Sequence, residues 1–150
     1  MIMKARMNYR NANPQAYQAM LQLEKFVQES GLDKKLIELI KIRASQINGC
    51  AFCLDMHTKD ARKLGETEQR IYLLNAWRES AVYTEAERSV LALTEAVTVI
   101  TNGGVSDEVY AKVREHFDED QCVALIMAIN TINCWNRIAI TTGMTAPAIL

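Results

Sequence analysis

The chain has 150 residues, of which 49% are hydrophobic and 23% charged, and its formal net charge is −1. This length suits a single domain, expected over residues 1–150, and the near-neutral charge gives no reason to expect nucleic acid or a membrane surface as a partner. No signal peptide is visible, and no apolar run reaches the roughly 18 residues that span a bilayer. We therefore expect a cytoplasmic protein, whose four cysteines serve catalysis, redox chemistry or metal binding rather than a disulfide framework.

Capping and stop signals along the chain predict about seven α-helices and almost no strand. Asn13-Pro14 is typical of a helix start, and so are the capping boxes at residues 84–87 and 118–121. The predicted helices cover approximately residues 14–30, 34–48, 50–64, 67–77, 84–101, 106–117 and 118–142. The sequence therefore predicts an all-α fold.

Two of the predicted helices, 34–48 and 118–142, are apolar on nearly every face. Helices of this kind are normally deeply buried. Because a chain of this size has difficulty burying two of them by itself, we expect a homo-oligomer whose interface uses part of their surface.

The segment with the most chemical information is Cys50-Ala51-Phe52-Cys53, which follows Gly49 and precedes His57. Residues three and four apart share a helix face, so the two thiols and the imidazole should form one stripe. A helix N-terminus lowers the pKa of a cysteine, and a histidine one turn away can accept its proton. This arrangement favours a redox-active dithiol.

Two other interpretations of the thiol pair are possible. The pair could be half of a structural zinc site, but the remaining candidate ligands, Cys122, Cys134 and His116, form no second Cys-x-x-Cys or His-x-x-x-His unit. The two thiols could also be core residues that are neighbours by coincidence, with His57 facing solvent. We expect Cys122 and Cys134 to be small buried apolar residues.

Glu38 is the second residue that attracts attention, because it lies on the otherwise apolar helix 34–48. A carboxylate held in an apolar wall can exchange protons near neutral pH and is often kept for a function. The alternative is a surface glutamate paired with Lys34 or Lys41.

The run from Glu38 to His57 resembles the core of the carboxymuconolactone decarboxylase superfamily, in its alkylhydroperoxidase D-like (AhpD-like) branch. The shared pattern is a Glu, eleven residues, Cys-x-x-Cys, three residues and a His, and this chain meets every spacing with Glu38, Cys50, Cys53 and His57. Residues 61–65 and 133–137 also look familial, so that the resemblance covers most of residues 30–140.

The resemblance implies an AhpD-like helical bundle that assembles as a trimer or hexamer and reduces peroxides without a cofactor or metal. By analogy, Cys53 is the peroxidatic thiol, and Cys50 resolves it as a redox-active disulfide. His57 activates Cys53, and Glu38 continues the proton relay. The implied partners are a small organic hydroperoxide as substrate and a thiol or lipoyl-type electron donor.

One residue departs from the pattern of the best-known peroxidases of this family, which have a histidine before the second cysteine where this chain has Phe52. A phenylalanine cannot carry protons, and we expect it to shape an apolar pocket instead. The alternatives are a non-enzymatic redox-sensing or stress-associated oligomer, and a small-lactone decarboxylase or isomerase with His57 as base. The lactone-decarboxylating branch does not use the dithiol that this chain retains.

Overall fold

The computed structural model describes residues 4–148, and its regular structure over that range is entirely helical. The described residues form eight α-helices and one 3₁₀ helix. The elements are α1 (Tyr9–Ala12), α2 (Pro14–Glu29), α3 (Lys34–Asn48), α4 (Ala51–Lys63), α5 (Glu68–Tyr72), the 3₁₀ helix (Leu74–Glu79), α6 (Glu85–Thr98), α7 (Asp107–Arg114) and α8 (Glu119–Thr142). The prediction of an all-α fold is confirmed.

The helix ends follow from the capping chemistry that the sequence indicated. The Asn13 side chain accepts a hydrogen bond from the third residue of α2, and the capping boxes at 84–87 and 118–121 are both formed. Gly49 ends α3 in the left-handed conformation, with φ 70° and ψ 34°, which residues with a Cβ rarely adopt. This turn lets α4 begin only two residues later.

The structure has more helices than the roughly seven predicted, for two local reasons. Asn8 accepts hydrogen bonds from two backbone N–H groups and so caps the additional short helix α1. The predicted helix 67–77 is divided into α5 and the 3₁₀ helix. Its buried residues Ile71, Leu74 and Trp77 recur every third position, which matches the three-residue turn of a 3₁₀ helix.

Helix α3 lies at the centre of the fold and packs against α4, α6 and α8. Its Ile37 and Ile40 belong to one core cluster, and its Leu39 and Ile42 belong to a second. All residues from 36 to 42 are buried within this single chain. Three neighbouring helices of the same chain therefore cover this stretch of α3, and an oligomer interface that uses the rest of its surface stays a prediction.

Helix α8 differs from α3, because it keeps an exposed apolar face. Val123 is 55%, Ile126 37% and Ile140 46% exposed. By length and composition alone α8 could cross a bilayer, although the sequence analysis expected no apolar run long enough to do so. Half of its most apolar stretch is buried against the rest of the chain, as in the core helix of a globular protein. Assembly into a homo-oligomer stays a prediction.

Candidate active site

The two thiols lie at the turn that joins α3 to α4. Cys50 is the N-cap residue of α4, and its backbone N–H donates to the Ser45 carbonyl oxygen at 3.0 Å. Its side chain does not cap the helix, so the sulfur is available to other partners. Cys53 follows in the first turn, and both cysteines are free thiols that are only 1% exposed. The thiols are thus removed from bulk water.

The buried thiols ionise as a pair. The pKa of Cys50 is lowered to about 7, first because the Cys53 side chain donates a hydrogen bond to it; burial opposes the shift, and the Asn136 side chain assists it. The pKa of Cys53 is raised, because Cys53 keeps the proton that it shares with Cys50 and because burial disfavours a second charge. The contact between the two thiols therefore favours ionisation of one member of the pair and disfavours ionisation of both.

His57 and Glu38 meet across the α3–α4 interface, with Nδ1 of the imidazole 2.9 Å from Oε2 of the carboxylate. Each residue is 6% exposed. With Glu38 as a carboxylate, Nδ1–H donates to it and Nε2 keeps the free lone pair of a base. The alternative of a solvent-facing His57 is wrong, because the residue is buried. The alternative of a surface Glu38 paired with lysine is also wrong, because Glu38 is buried against His57 and Lys41 pairs with Glu24 instead.

A cavity of about 510 Å³, the site cavity, opens beside these groups. Cys53, His57 and Glu38 all reach its wall, whereas Cys50 is not among the residues that line it. Phe52 is half-buried and packs against the core while it lines the cavity. The expectation that Phe52 shapes an apolar pocket agrees with this position.

A buried ion pair on the cavity wall was not found from the sequence. Lys41 is only 2% exposed, and its ammonium contacts the carboxylate of Glu24 on α2. Trp135 Nε1 donates to the other oxygen of Glu24 at 3.1 Å. Burial opposes ionisation of Glu24, but the charge of Lys41 and the hydrogen bonds from Lys41, Gln28 and Trp135 together outweigh it and lower the pKa of that carboxyl. The pair joins α2, α3 and α8 around the cavity.

A buried amide network supports the dithiol from the other side. The Asn136 amide oxygen accepts from Asn48 Nδ2 at 2.9 Å, and its own Nδ2 donates to Ser45 Oγ at 3.0 Å. Asn48 also donates to Asn133 at 3.0 Å. The Asn136 side chain also lowers the pKa of both thiols and so favours the anionic form of the pair. Sequence reasoning noted that residues 133–137 look familial but assigned them no role.

Asp60, three residues after His57 on α4, also belongs to the site. Its carboxylate lies with ligand atoms of Glu38 and His57 in a group whose members are all within 4.8 Å of one another. Two carboxylates and an imidazole at this spacing have the donor set of a divalent cation site. These three residues are the ones that could hold a metal ion in the described part of the chain.

The other possible zinc ligands do not join the thiol pair. Cys122 is buried next to the Phe117 carbonyl oxygen, and His116 lines a separate surface groove with Trp77. Cys134 is exposed rather than buried as expected, because its position on α8 faces away from the core. Over residues 4–148, the dithiol thus has no second pair of zinc ligands.

Comparison with known proteins agrees with this geometry. The model of the carboxymuconolactone decarboxylase family matches residues 14–96, more than half of the chain. The chain belongs to this family. It is 51% identical to the uncharacterized protein YdfG of Bacillus subtilis over 94% of this chain and 96% of that protein.

Further relatives place the chain in the AhpD-like branch of the carboxymuconolactone decarboxylase family. An Agrobacterium tumefaciens protein of unknown function, described as a candidate antioxidant defence protein AhpD, superposes with a TM-score of 0.95 at 48% identity and covers 97% of this chain and 100% of its own. The alkyl hydroperoxide reductase AhpD of Hyphomonas neptunium is 40% identical over 62 residues, which are 41% of this chain and 33% of that protein.

Proposed function

We propose that the protein is a thiol peroxidase that reduces small organic hydroperoxides through a dithiol–disulfide cycle of Cys50 and Cys53. One observation carries this proposal: Cys53 lines the site cavity together with His57, while Cys50, buried three residues before it, does not line the cavity. Such a cycle requires one reactive thiol that can reach the substrate. It also requires a second thiol that needs to reach only the first.

In the first step Nε2 of His57 accepts the proton of Cys53, which becomes the attacking thiolate. It attacks the terminal oxygen of the hydroperoxide, the O–O bond breaks, and Cys53 becomes a sulfenic acid. The departing alkoxide takes a proton from Nε2 of protonated His57 and leaves as the alcohol. Glu38, 2.9 Å from Nδ1, holds the imidazole in place and stabilises its charged form.

In the second step Cys50 attacks the sulfenic sulfur of Cys53 and forms the disulfide. The proton of Cys50 goes to the departing hydroxide by way of His57, so that water leaves. A thiol or lipoyl-type donor then supplies two electrons and two protons and restores the dithiol. This cycle suits the reducing cytoplasm expected from the sequence, and we propose a homo-oligomer as the working form.

The decisive experiment measures turnover of a hydroperoxide panel with dithiothreitol as reductant, together with mass mapping of the oxidised protein. We expect many turnovers per subunit and a Cys50–Cys53 disulfide. Cys53→Ser should abolish consumption of cumene hydroperoxide, whereas Cys134→Ser, which alters an exposed thiol outside the cavity, should retain it.

Three results would contradict the proposal. Full activity in Cys53→Ser would show that Cys53 is not the nucleophile. A single oxidation event per subunit without turnover would indicate a redox-sensing oligomer instead. Activity on a small lactone that survives alkylation of both thiols would indicate a lyase or isomerase with His57 as base.

A further inference from the structure

The solvent end of the site cavity is aromatic and positively charged. Tyr9, Tyr17 and Trp135 pack edge to face, with ring centroids 5.9 to 6.4 Å apart. The guanidinium carbon of Arg10 lies 5.8 Å from the centroid of Tyr9 and 5.2 Å from that of Tyr17. All four residues line the cavity, and we refer to them as the aromatic rim.

Arg10 differs from the other charged residues of the cavity wall in having no charged partner. The others form three pairs: Glu24–Lys41, Glu38–His57 and Asp60–Lys63. Within residues 4–148, Arg10 contacts no carboxylate, and its side-chain hydrogen bond goes to the hydroxyl of Tyr9 at 3.4 Å. The cavity therefore presents one cation whose charge is not neutralised by the described chain.

The segment that carries Arg10 is attached to the end of α8. The Arg6 backbone N–H donates to the Thr142 carbonyl oxygen at 2.8 Å, and its guanidinium donates to the Thr141 carbonyl oxygen at 3.0 Å. Asn8 then caps α1, on which Tyr9 and Arg10 lie. These contacts hold the guanidinium of Arg10 at the rim. They therefore reduce the conformational entropy that Arg10 loses when it binds an anion.

Between the aromatic rim and Cys53 the cavity wall is largely apolar. The apolar side chains of the wall include Leu21, Phe52, Met56, Leu64, Ile138 and Met144. A ligand that fills this space therefore needs an apolar body, and its polar ends should be at the thiol and at the guanidinium.

We propose that the cavity binds apolar molecules that carry a carboxylate, and that Arg10 receives this carboxylate at the rim. An arginine offers a carboxylate two parallel N–H donors, and the neighbouring rings stack against the body of the ligand. Combined with the proposed peroxidase function, on which this step rests, the substrates are carboxylate-bearing organic hydroperoxides. The hydroperoxide end lies at Cys53 and the carboxylate end at Arg10.

Binding can be tested without turnover, by calorimetric titration with 4-isopropylbenzoate, which has the apolar body and the carboxylate but no peroxide. We expect Arg10→Gln to weaken its Kd by about five- to tenfold, as loss of a charged hydrogen bond at a partly exposed site does. The matched control Arg114→Gln removes an exposed arginine outside the cavity and should not change the Kd. The same Kd in all three proteins, or no binding to the wild type, would overturn the carboxylate site.

Kinetics separate the two proposals. Cumene hydroperoxide and its 4-carboxylate analogue have the same reactive group, and we expect the wild type to prefer the carboxylate through a lower KM. Arg10→Gln should raise the ratio of the acid KM to the neutral KM by about five- to tenfold, with kcat for the acid little changed. Turnover of both peroxides at equal KM would overturn the carboxylate site and leave the peroxidase function. Binding of 4-isopropylbenzoate through Arg10 without turnover of either peroxide would overturn the peroxidase function and leave the carboxylate site.

Discussion

Two clusters of charge in the described part of the chain, the Arg70 cluster and the site cavity, differ in what surrounds their buried carboxylates. In the Arg70 cluster, formed by Glu66, Arg70, Tyr83 and Glu87, the guanidinium is 2.8 Å from Glu66 and also binds Glu87. It lies 4.9 Å from the ring centroid of Tyr83. Burial opposes the charge of Arg70, but its two carboxylate partners outweigh this and raise its pKa.

The site cavity uses similar components in a different setting. Glu38 and His57 are nearly as deeply buried as Glu66 of the Arg70 cluster, but both line an open volume that also reaches Cys53. None of the residues of the Arg70 cluster lines that cavity. A charge surrounded by partners contributes to stability, whereas a charge beside open space can exchange a proton with a substrate.

The largest effect should come from breaking the Arg70 cluster. Arg70→Met leaves the carboxylates of Glu66 and Glu87 without their cation, and we expect the free energy of unfolding to fall by about 3–5 kcal/mol. Urea denaturation followed by circular dichroism measures this. Arg114→Met, at an exposed position, should change it by less than about 0.5 kcal/mol. A loss in Arg70→Met as small as that of the control would show that the cluster does not stabilise the fold.

An intermediate effect, on activity, should come from the site carboxylate. Glu38→Gln keeps the shape of the side chain but removes the charge that supports a protonated His57, so kcat/KM for cumene hydroperoxide should fall about a hundredfold, near 2.7 kcal/mol. The matched variant Glu66→Gln makes the same exchange in the Arg70 cluster. It should lower stability and leave the activity of the folded protein near that of the wild type. Equal losses of activity in both variants would contradict the assignment of Glu38 to activity and of Glu66 to stability.

The smallest effect should come from the amide network. Asn136→Ala removes a side chain that lowers the pKa of Cys50, so that pKa should rise from about 7 toward that of an ordinary thiol. Because a thiol is charged above its pKa, the variant holds less thiolate at neutral pH and should react with peroxide several-fold more slowly there. A titration of thiolate ultraviolet absorbance measures the shift. Asn130→Ala, an exposed position on the same helix, is the control; identical titrations in both variants would contradict the role of Asn136.

Much of the fold and part of the site were predictable because they depend on neighbours in sequence. Helix starts depend on side chains within three residues, as at the capping boxes 84–87 and 118–121, and the stop at Gly49 depends on one residue. The spacing of Cys50, Cys53 and His57 places them on the same stripe of α4, whatever surrounds it. The match of Glu38 to the family pattern indicated that it belongs with them.

Other features depend on contacts that no local pattern contains. Trp135 binds Glu24 across 111 positions of the chain, and Asn136 reaches Ser45 across 91. These contacts exist only because α2, α3 and α8 pack together. The same packing brings Asp60 to the site and, contrary to expectation, leaves Cys134 in solvent.

The sequence by itself determined that the chain is helical, and it predicted that a dithiol, a histidine and a glutamate belong to one site. Hydrogen bonds within one helical turn and the helical repeat are enough for this, since both act over a few residues. Only the tertiary structure decided that Cys53 rather than Cys50 reaches the cavity, that Lys41 is neutralised by Glu24, and that Arg10 is not neutralised within the described chain. Burial and pairing are properties of the space between helices, and residues distant in sequence create that space.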